Sequence, residues 1–443
     1  MGSVPQVAAA LQRVLTERAN ELARSSGFVR RASKMSGALW VQMLVFAWLS
    51  KPQASLEEIA QTGAALGFSI SPQGVDQRFS EQAATFLGQV LEAGLSTLVA
   101  APVGAVPLLC RFAGVYLFDS TVIALPDRLA CVWAGCGGRV EQGSAAALKV
   151  QVVLELCRGT LSGLLQAGRA QDRGAPTQQW DLPPRALKIA DLGFFSVKVL
   201  ARLHQAGVFF LSRVQVGTKI ALHKEYLDLV EIGNLLRKQD LLSVDRPVYL
   251  GASQKLPCRL LAVRLPQKVA QERRRKLHYE AGRKGQTVSQ ARLQLADWNL
   301  YVTNVPEDEL SVHEALVLLR ARWQIELLFK LWKSQGEVDS SRSHKPWRVL
   351  CEVYAKLLAM LVQHWLFLVS CWQYPDRSLL KASQTVARYG LAMAASFAST
   401  ASLEAILEAI RRGLAAGCRM NRRRTKPNTY QLLLQPPLLG GLG

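Results

Sequence analysis

Residues 1 to about 100 carry apolar side chains at three- and four-residue spacing with almost no strand-like alternation, a pattern that predicts helices. Within them Leu56–Gly67 reads as a short helix ending at glycine. Ser71 and Pro72 then supply an N-cap and a first helical residue for the next one. Val75 and Phe79 fall on its inner side, while Gln73, Asp76, Gln77 and Arg78 project. This outline fits either a helix-turn-helix with a recognition helix for the major groove or an ordinary helical hairpin.

After the proline-containing linker Ala101–Pro107 the pattern changes to strands. Gly114–Asp119, Leu148–Leu156 and Thr160–Ala167 read as three consecutive strands, followed by a polar loop over Gly168–Pro184. Ala186–Ala190 is a buried strand ending at Asp191, Ser196–Gln205 a helix, and Val208–Arg213 a further strand. Three strands followed by strand–helix–strand predict an α/β fold with a mixed sheet. From 214 to 300 short strands (Pro247–Leu250, Arg259–Leu265) surround a basic stretch, and Trp298–Asn304 closes the segment as a strand. A capping box at Ser311 and Glu314 opens one long helix through about Ser334. The remainder reads as helical.

Two uncharged apolar stretches resemble membrane spans. Met35–Ser50 is short of the roughly 20 residues a span requires, and Leu357–Pro375 is interrupted by Gln363, His364 and Gln373. Both predict buried helices. The N-terminus lacks a secretory pattern. Eight cysteines without CxxC or zinc spacing point to free thiols. The six histidines are scattered, which argues against zinc, and Gly135–Gly138 lacks the ending of a phosphate loop.

Charge narrows the partner. Lys and Arg number 54 against 33 Asp and Glu, a net charge of +21. Of that excess, +7 lies in Arg264–Arg292, which includes Arg273, Arg274, Arg275 and Lys276, and another +7 in Arg411–Lys426, which includes Arg422, Arg423 and Arg424. Such concentration inside a folded chain favours a DNA backbone over a membrane surface.

The candidate chemistry lies in three acids. Asp119 and Asp191 each end an apolar strand, where α/β folds place their ligands. On the long helix Arg322, Glu326 and Lys333 fall within about 40° of one another at ~100° per residue, opposite Ile325, Leu328 and Trp332. Two Asp and one Glu brought together suit two Mg2+ ions, with Mn2+ as a substitute. The alternative is a solvated charged face. Glu155 is a fourth acid, read as exposed. Asp172 and Asp181 lack a preceding strand and are poor rivals to Asp191.

The stretch Arg322-Trp-Gln-Ile-Glu326 through Lys333 closely resembles the signature of the DDE transposases of bacterial insertion sequences, specifically the family-four group with its Tyr-Arg-Glu-Lys pattern. The blocks around Asp119 and Asp191 are similar to that family's aspartate motifs. The resemblance covers Val115 to Lys333. It implies an RNase H-like core with a β-rich insertion, with Asp119, Asp191 and Glu326 as metal ligands. Arg322 and Lys333 would grip phosphates, and Trp298 would either stack on a flipped base or pack in the core. The family tyrosine falls on Leu319.

The implied layout is a helical DNA-binding domain over 1–105, core over 106–213 and 301–375, insertion over 214–300, and a helical, basic C-terminal region over 376–443. The implied activity is two-metal cleavage at terminal inverted repeats and strand transfer into target DNA. The chain would act as a homodimer on double-stranded DNA, in the bacterial cytoplasm at the nucleoid and without membrane attachment. A catalytically impaired DNA-binding descendant and an RNase H-like nuclease without strand transfer stay open as rivals.

Overall fold

The structure, a computed structural model, describes residues 4–31, 34–104, 106–137, 144–222, 225–227, 231–234, 242–283, 285–374, 376–421, 423 and 427–434. The chain forms two compact units. The first takes Met1–Ala105, Asp119–Ala170 and Gln324–Lys426, and the second takes Val106–Phe118, Gln171–Trp323 and Pro427–Gly443. The chain thus passes repeatedly between the two units.

In the first unit the N-terminal helices surround Gly37–Ser50, which is apolar on all sides and almost wholly buried. Glu81–Leu95 packs on the long helix Pro346–Leu368. Gly94 permits this approach: a Cβ there would lie 2.8 Å from Leu361 Cδ2. Pro346–Leu368 has the length and apolarity of a membrane span, but its apolar window is entirely buried within the protein. Two of its charged residues are paired within the unit. Glu352 accepts from Ser341 Oγ at 2.6 Å and Arg348 Nε at 3.2 Å, while Lys356 Nζ donates to Ser340 O at 2.8 Å. The expected burial of both apolar helices holds, although the second begins earlier, at Pro346, and ends at Leu368.

The same unit holds β2 (Ala146–Glu155) and β3 (Leu161–Ala167), an antiparallel pair, beside the later part of β1 (Val115–Leu125), in the order β3-β2-β1. All ten residues of β2 are buried. The expectation that Glu155 is exposed is therefore corrected. Its carboxylate accepts from the backbone N–H of Cys157 at 2.8 Å and of Arg158 at 2.7 Å, closing the β2–β3 turn.

In the second unit the start of β1 pairs in parallel with β4 (Leu187–Ala190), and β4 with β5 (Phe209–Arg213). The helix Val197–Gln205 connects these last two. Beyond β5 lie β10 (Trp298–Thr303), β9 (Leu256–Arg264), β8 (Ser243–Leu250), β6 (Ile220–Leu222) and β7 (Glu225–Leu227), all in antiparallel contact. Phe210, Leu260, Ala262 and Val302 centre its core. Three strands, then two in parallel with a crossover helix, are the RNase H-like succession. The basic part of 214–300 is not strand but the helix Gln267–Arg283. All eight cysteines are free.

The single long helix expected after Ser311 is two. The capping box forms, with Glu314 N donating to Ser311 Oγ at 3.3 Å, but Val312–Ala321 ends at Arg322 and Trp323–Ser334 begins anew. Arg322, the one residue between the two helices, keeps right-handed helical torsions (φ −51°, ψ −30°).

Candidate functional site

In the first unit, β1 presents Asp119, Ser120 and Thr121 to a cleft of about 710 Å3. The facing wall is the helix Trp323–Ser334, through Glu326, Phe329, Lys330, Lys333 and Ser334. The helix docks because Ile325, Leu328, Leu331 and Trp332 are buried, which leaves the Glu326–Lys330–Lys333 edge for the cleft, as i, i+4, i+7 spacing requires. Asp119 and Glu326 are half-buried. Asp119 Oδ1 accepts from Ser120 N at 2.8 Å, and Lys333 Nζ donates to Val122 O at 3.3 Å, tying the helix to β1. Two carboxylates and two ammonium groups thus line one cleft. Lys330 and Phe329 were missed in the sequence; the available signal was the four-residue step from Glu326 to Lys330.

In the second unit, Asp191 follows β4 and is exposed. It starts the short 3-10 turn Leu192–Phe194, whose Phe194 N donates to Asp191 O at 3.0 Å. The β1–β4 register pairs Phe118 with Ala190, the residues preceding Asp119 and Asp191 in the chain. Arg322, half-buried, terminates Val312–Ala321.

Trp298 is 3% exposed in the core of this unit, among Leu256, Leu260 and Val302. Core packing is therefore the reading the structure shows, and its ring offers no face to a base. Arg273 and Arg274 also face inward. Arg273 Nη2 donates to Asn299 Oδ1 at 2.9 Å, and Arg274 forms an ion pair with Asp297. These contacts fasten Gln267–Arg283 to the start of β10. Burial, and secondarily the nearby Arg213, lower the Arg273 pKa. Arg275 and Lys276 are exposed.

The helix following Ser71 is capped as expected, with Gly74 N donating to Ser71 Oγ at 3.1 Å, but it spans only Pro72–Asp76. At ~1.5 Å per residue that is about 7.5 Å, short for a helix laid along a major groove. Gln73 and Gln77 are exposed and Arg78 is half-buried. Asp76 is held in ion pairs by Lys345 at 2.9 Å and Arg348 at 2.8 Å. Arg423 is exposed, and Arg422 and Arg424 lie outside the described residues.

Among the described residues, no three His, Cys, Asp or Glu side chains are gathered closely enough to hold a metal ion. The oxygen donors of Asp119 and Glu326 on one cleft nonetheless fit a hard divalent cation, which takes a few carboxylates and completes its shell with water and phosphate.

Residues 111–362 match the family described as "Transposase DDE domain". The transposase for insertion sequence element IS231B of Bacillus thuringiensis subsp. berliner is 30% identical over 364 residues, covering 77% of this chain and 75% of that protein. The transposase for IS231F of Bacillus thuringiensis subsp. israelensis is 30% identical over 394 residues, covering 84% and 80%. The transposase for IS1151 of Clostridium perfringens is 25% identical over 367 residues, covering 77% and 76%.

Proposed function

Because this chain belongs to the DDE transposases of bacterial insertion sequences, we propose that Asp119, Asp191 and Glu326 are the carboxylates with which it cleaves DNA and transfers the freed strand. The observation that carries this reading is the cleft where Asp119 and Glu326, far apart in sequence, meet two lysines. Asp191 is added because it follows the parallel strand registered with β1 and falls within the family match.

Asp119 and Glu326, with Asp191, would hold two Mg2+ ions, or Mn2+ in their place. When bound, such ions activate an attacking oxygen and stabilise the leaving one. Lys330 and Lys333 place positive charge beside the two carboxylates, so a phosphodiester can approach them without net repulsion. Lys333 acts as a point charge already oriented by Val122 O, and Arg322 as a bidentate fork on a neighbouring phosphate. Water first attacks the phosphodiester at each element end, and the freed 3′-hydroxyl then attacks target DNA without a covalent protein intermediate.

Binding of the terminal inverted repeats draws on exposed Gln73 and Gln77, on Arg78, and on the cations Arg275, Lys276 and Arg423. Two copies of the chain pair the two ends. Leu319 lies half-buried on Val312–Ala321, in place of the family tyrosine, so one phenolic phosphate contact is absent and the Tyr-Arg-Glu-Lys signature is incomplete.

The test is cleavage and strand transfer of a plasmid carrying the element ends in Mg2+. Asp119→Asn, Asp191→Asn and Glu326→Gln should each abolish both steps and still shift end DNA in a gel. Cleavage persisting in any of the three sinks the assignment of that residue. Wild-type cleavage without joining would instead favour a nuclease, and end binding without cleavage a DNA-binding descendant.

A further inference from the structure

Lys188 is the unusual side chain of the second unit. It lies in the middle of β4, registered with Tyr116 of β1 and Phe210 of β5, and is only 5% exposed. A buried ammonium is costly unless its donors are satisfied. Lys188 Nζ donates to Gln178 Oε1 and stands 4.1 Å from the centroid of the Phe118 ring. Gln178 is itself buried, at 3% exposure. Its Nε2 donates to Phe194 O at 2.7 Å and, more weakly, to Arg173 O at 3.4 Å, while its own carbonyl accepts from Arg202 Nη2.

Phe194 closes the turn that Asp191 opens, and its ring packs edge-on against Phe118 at 6.3 Å. A continuous buried chain therefore runs from Lys188 through Gln178 to the carbonyl of Phe194, and from Phe194 N back to the carbonyl of Asp191. Asp191 itself is exposed and makes no side-chain cap to its turn. The turn holds the backbone that carries this carboxylate, through Phe194 N donating to Asp191 O at 3.0 Å.

We propose that Lys188 and Gln178 are positioning residues that fix the Asp191 turn, so that the Asp191 carboxylate is presented in the orientation a divalent cation requires. Neither touches the reacting atoms. Burial, and secondarily the adjacent Arg202 guanidinium, lower the Lys188 pKa to about 7, which is the expense of placing an ammonium there when leucine or valine would suit a central strand better. Supporting hydrogen bonds to metal-holding carboxylates commonly set metal affinity by about 10–100-fold.

The proposal rests on Asp191 being a metal ligand, and the test separates the two claims. Binding of Mn2+ alone to the full, DNA-free chain is followed by water-proton relaxation, with far-UV circular dichroism as the check on folding. Lys188→Met removes the head of the chain of contacts. The near-isosteric Gln178→Met removes its middle and serves if Lys188→Met does not fold. Both should weaken Mn2+ binding by about tenfold, and Asp191→Asn by at least as much. Wild-type affinity in folded Gln178→Met, with affinity lost in Asp191→Asn, overturns the positioning role alone. Wild-type affinity in Asp191→Asn overturns the ligand assignment and the positioning role together.

Discussion

Lys188→Met should change the pH dependence of stability in a direction opposite to that of a surface lysine. The folded pKa lies at about 7 against an ordinary 10.5, so the unfolded chain holds this proton more tightly than the native one. Stability contributed at this site is therefore lowest below about pH 7 and rises as pH climbs toward 10.5. At ~1.4 kcal/mol per pKa unit the full penalty is roughly 4–5 kcal/mol, and about 2 kcal/mol of it is relieved between pH 7 and pH 9. Methionine abolishes the penalty but forfeits the ring contact with Phe118, worth about 1–2 kcal/mol, and orphans Gln178 Oε1, which costs about 1–3 kcal/mol. The variant should thus lie within about 2 kcal/mol of the parent at pH 7. The decisive quantity is how that difference moves with pH. Against the parent, Lys188→Met should lose about 2 kcal/mol from pH 7 to pH 9, or roughly 4–8 °C in unfolding midpoint by calorimetry. A midpoint difference that is the same at both pH values refutes a depressed Lys188 pKa.

Other outcomes follow from single contacts. Glu155→Ala leaves Cys157 N and Arg158 N without their acceptor and should destabilise the first unit by about 2–4 kcal/mol, read as a lowered unfolding midpoint. Arg274→Ala should destabilise the second unit by breaking the pair with Asp297, whereas Arg275→Ala should leave stability unchanged and lower the salt slope of DNA binding by about 0.9; equal effects of the two would contradict their opposite placement. Asp76 is held below the ordinary carboxylate range by its hydrogen bond from Lys345, offset in part by burial and reinforced by Arg348. Its stabilisation is present above the ordinary carboxylate pKa and is lost as pH falls through the depressed value. Asp76→Asn should therefore narrow the acid sensitivity of unfolding, and an unchanged acid limb would show the pair to be energetically silent.

The strands were legible because each is an apolar run bounded by turn residues, and Asp191 because it ends such a run. Asp119, expected at a strand end, instead lies within β1, which continues through polar Ser120 and Thr121 to Leu125. What one chain does not reveal is which strand becomes central. β2 is buried on both faces, so Glu155 is enclosed although its polarity suggests an edge, and its role is visible only once the β2–β3 turn is closed above it. Lys188 is hidden for the same reason: β4 lies between β1 and β5, and its alternate positions have no solvent face. For Trp298 the sequence leaves a base and the core open, and its side chain is buried among the core residues of the second unit.

The break at Arg322 was illegible on different grounds. No proline or glycine marks it, its torsions remain helical, and periodicity alone carries smoothly from Ser311 to Ser334. The consequence is specific. A helical stripe computed across the break groups Arg322 with Glu326 and Lys333, but only the latter two share a helix, and on that helix Lys330 is the cation one turn from Glu326. Sequence spacing thus singles out Glu326 and Lys333, which line the cleft, but not Lys330 beside them. Lys330→Ala in the cleavage assay therefore weighs as much as Lys333→Ala in deciding how the cleft meets a phosphodiester.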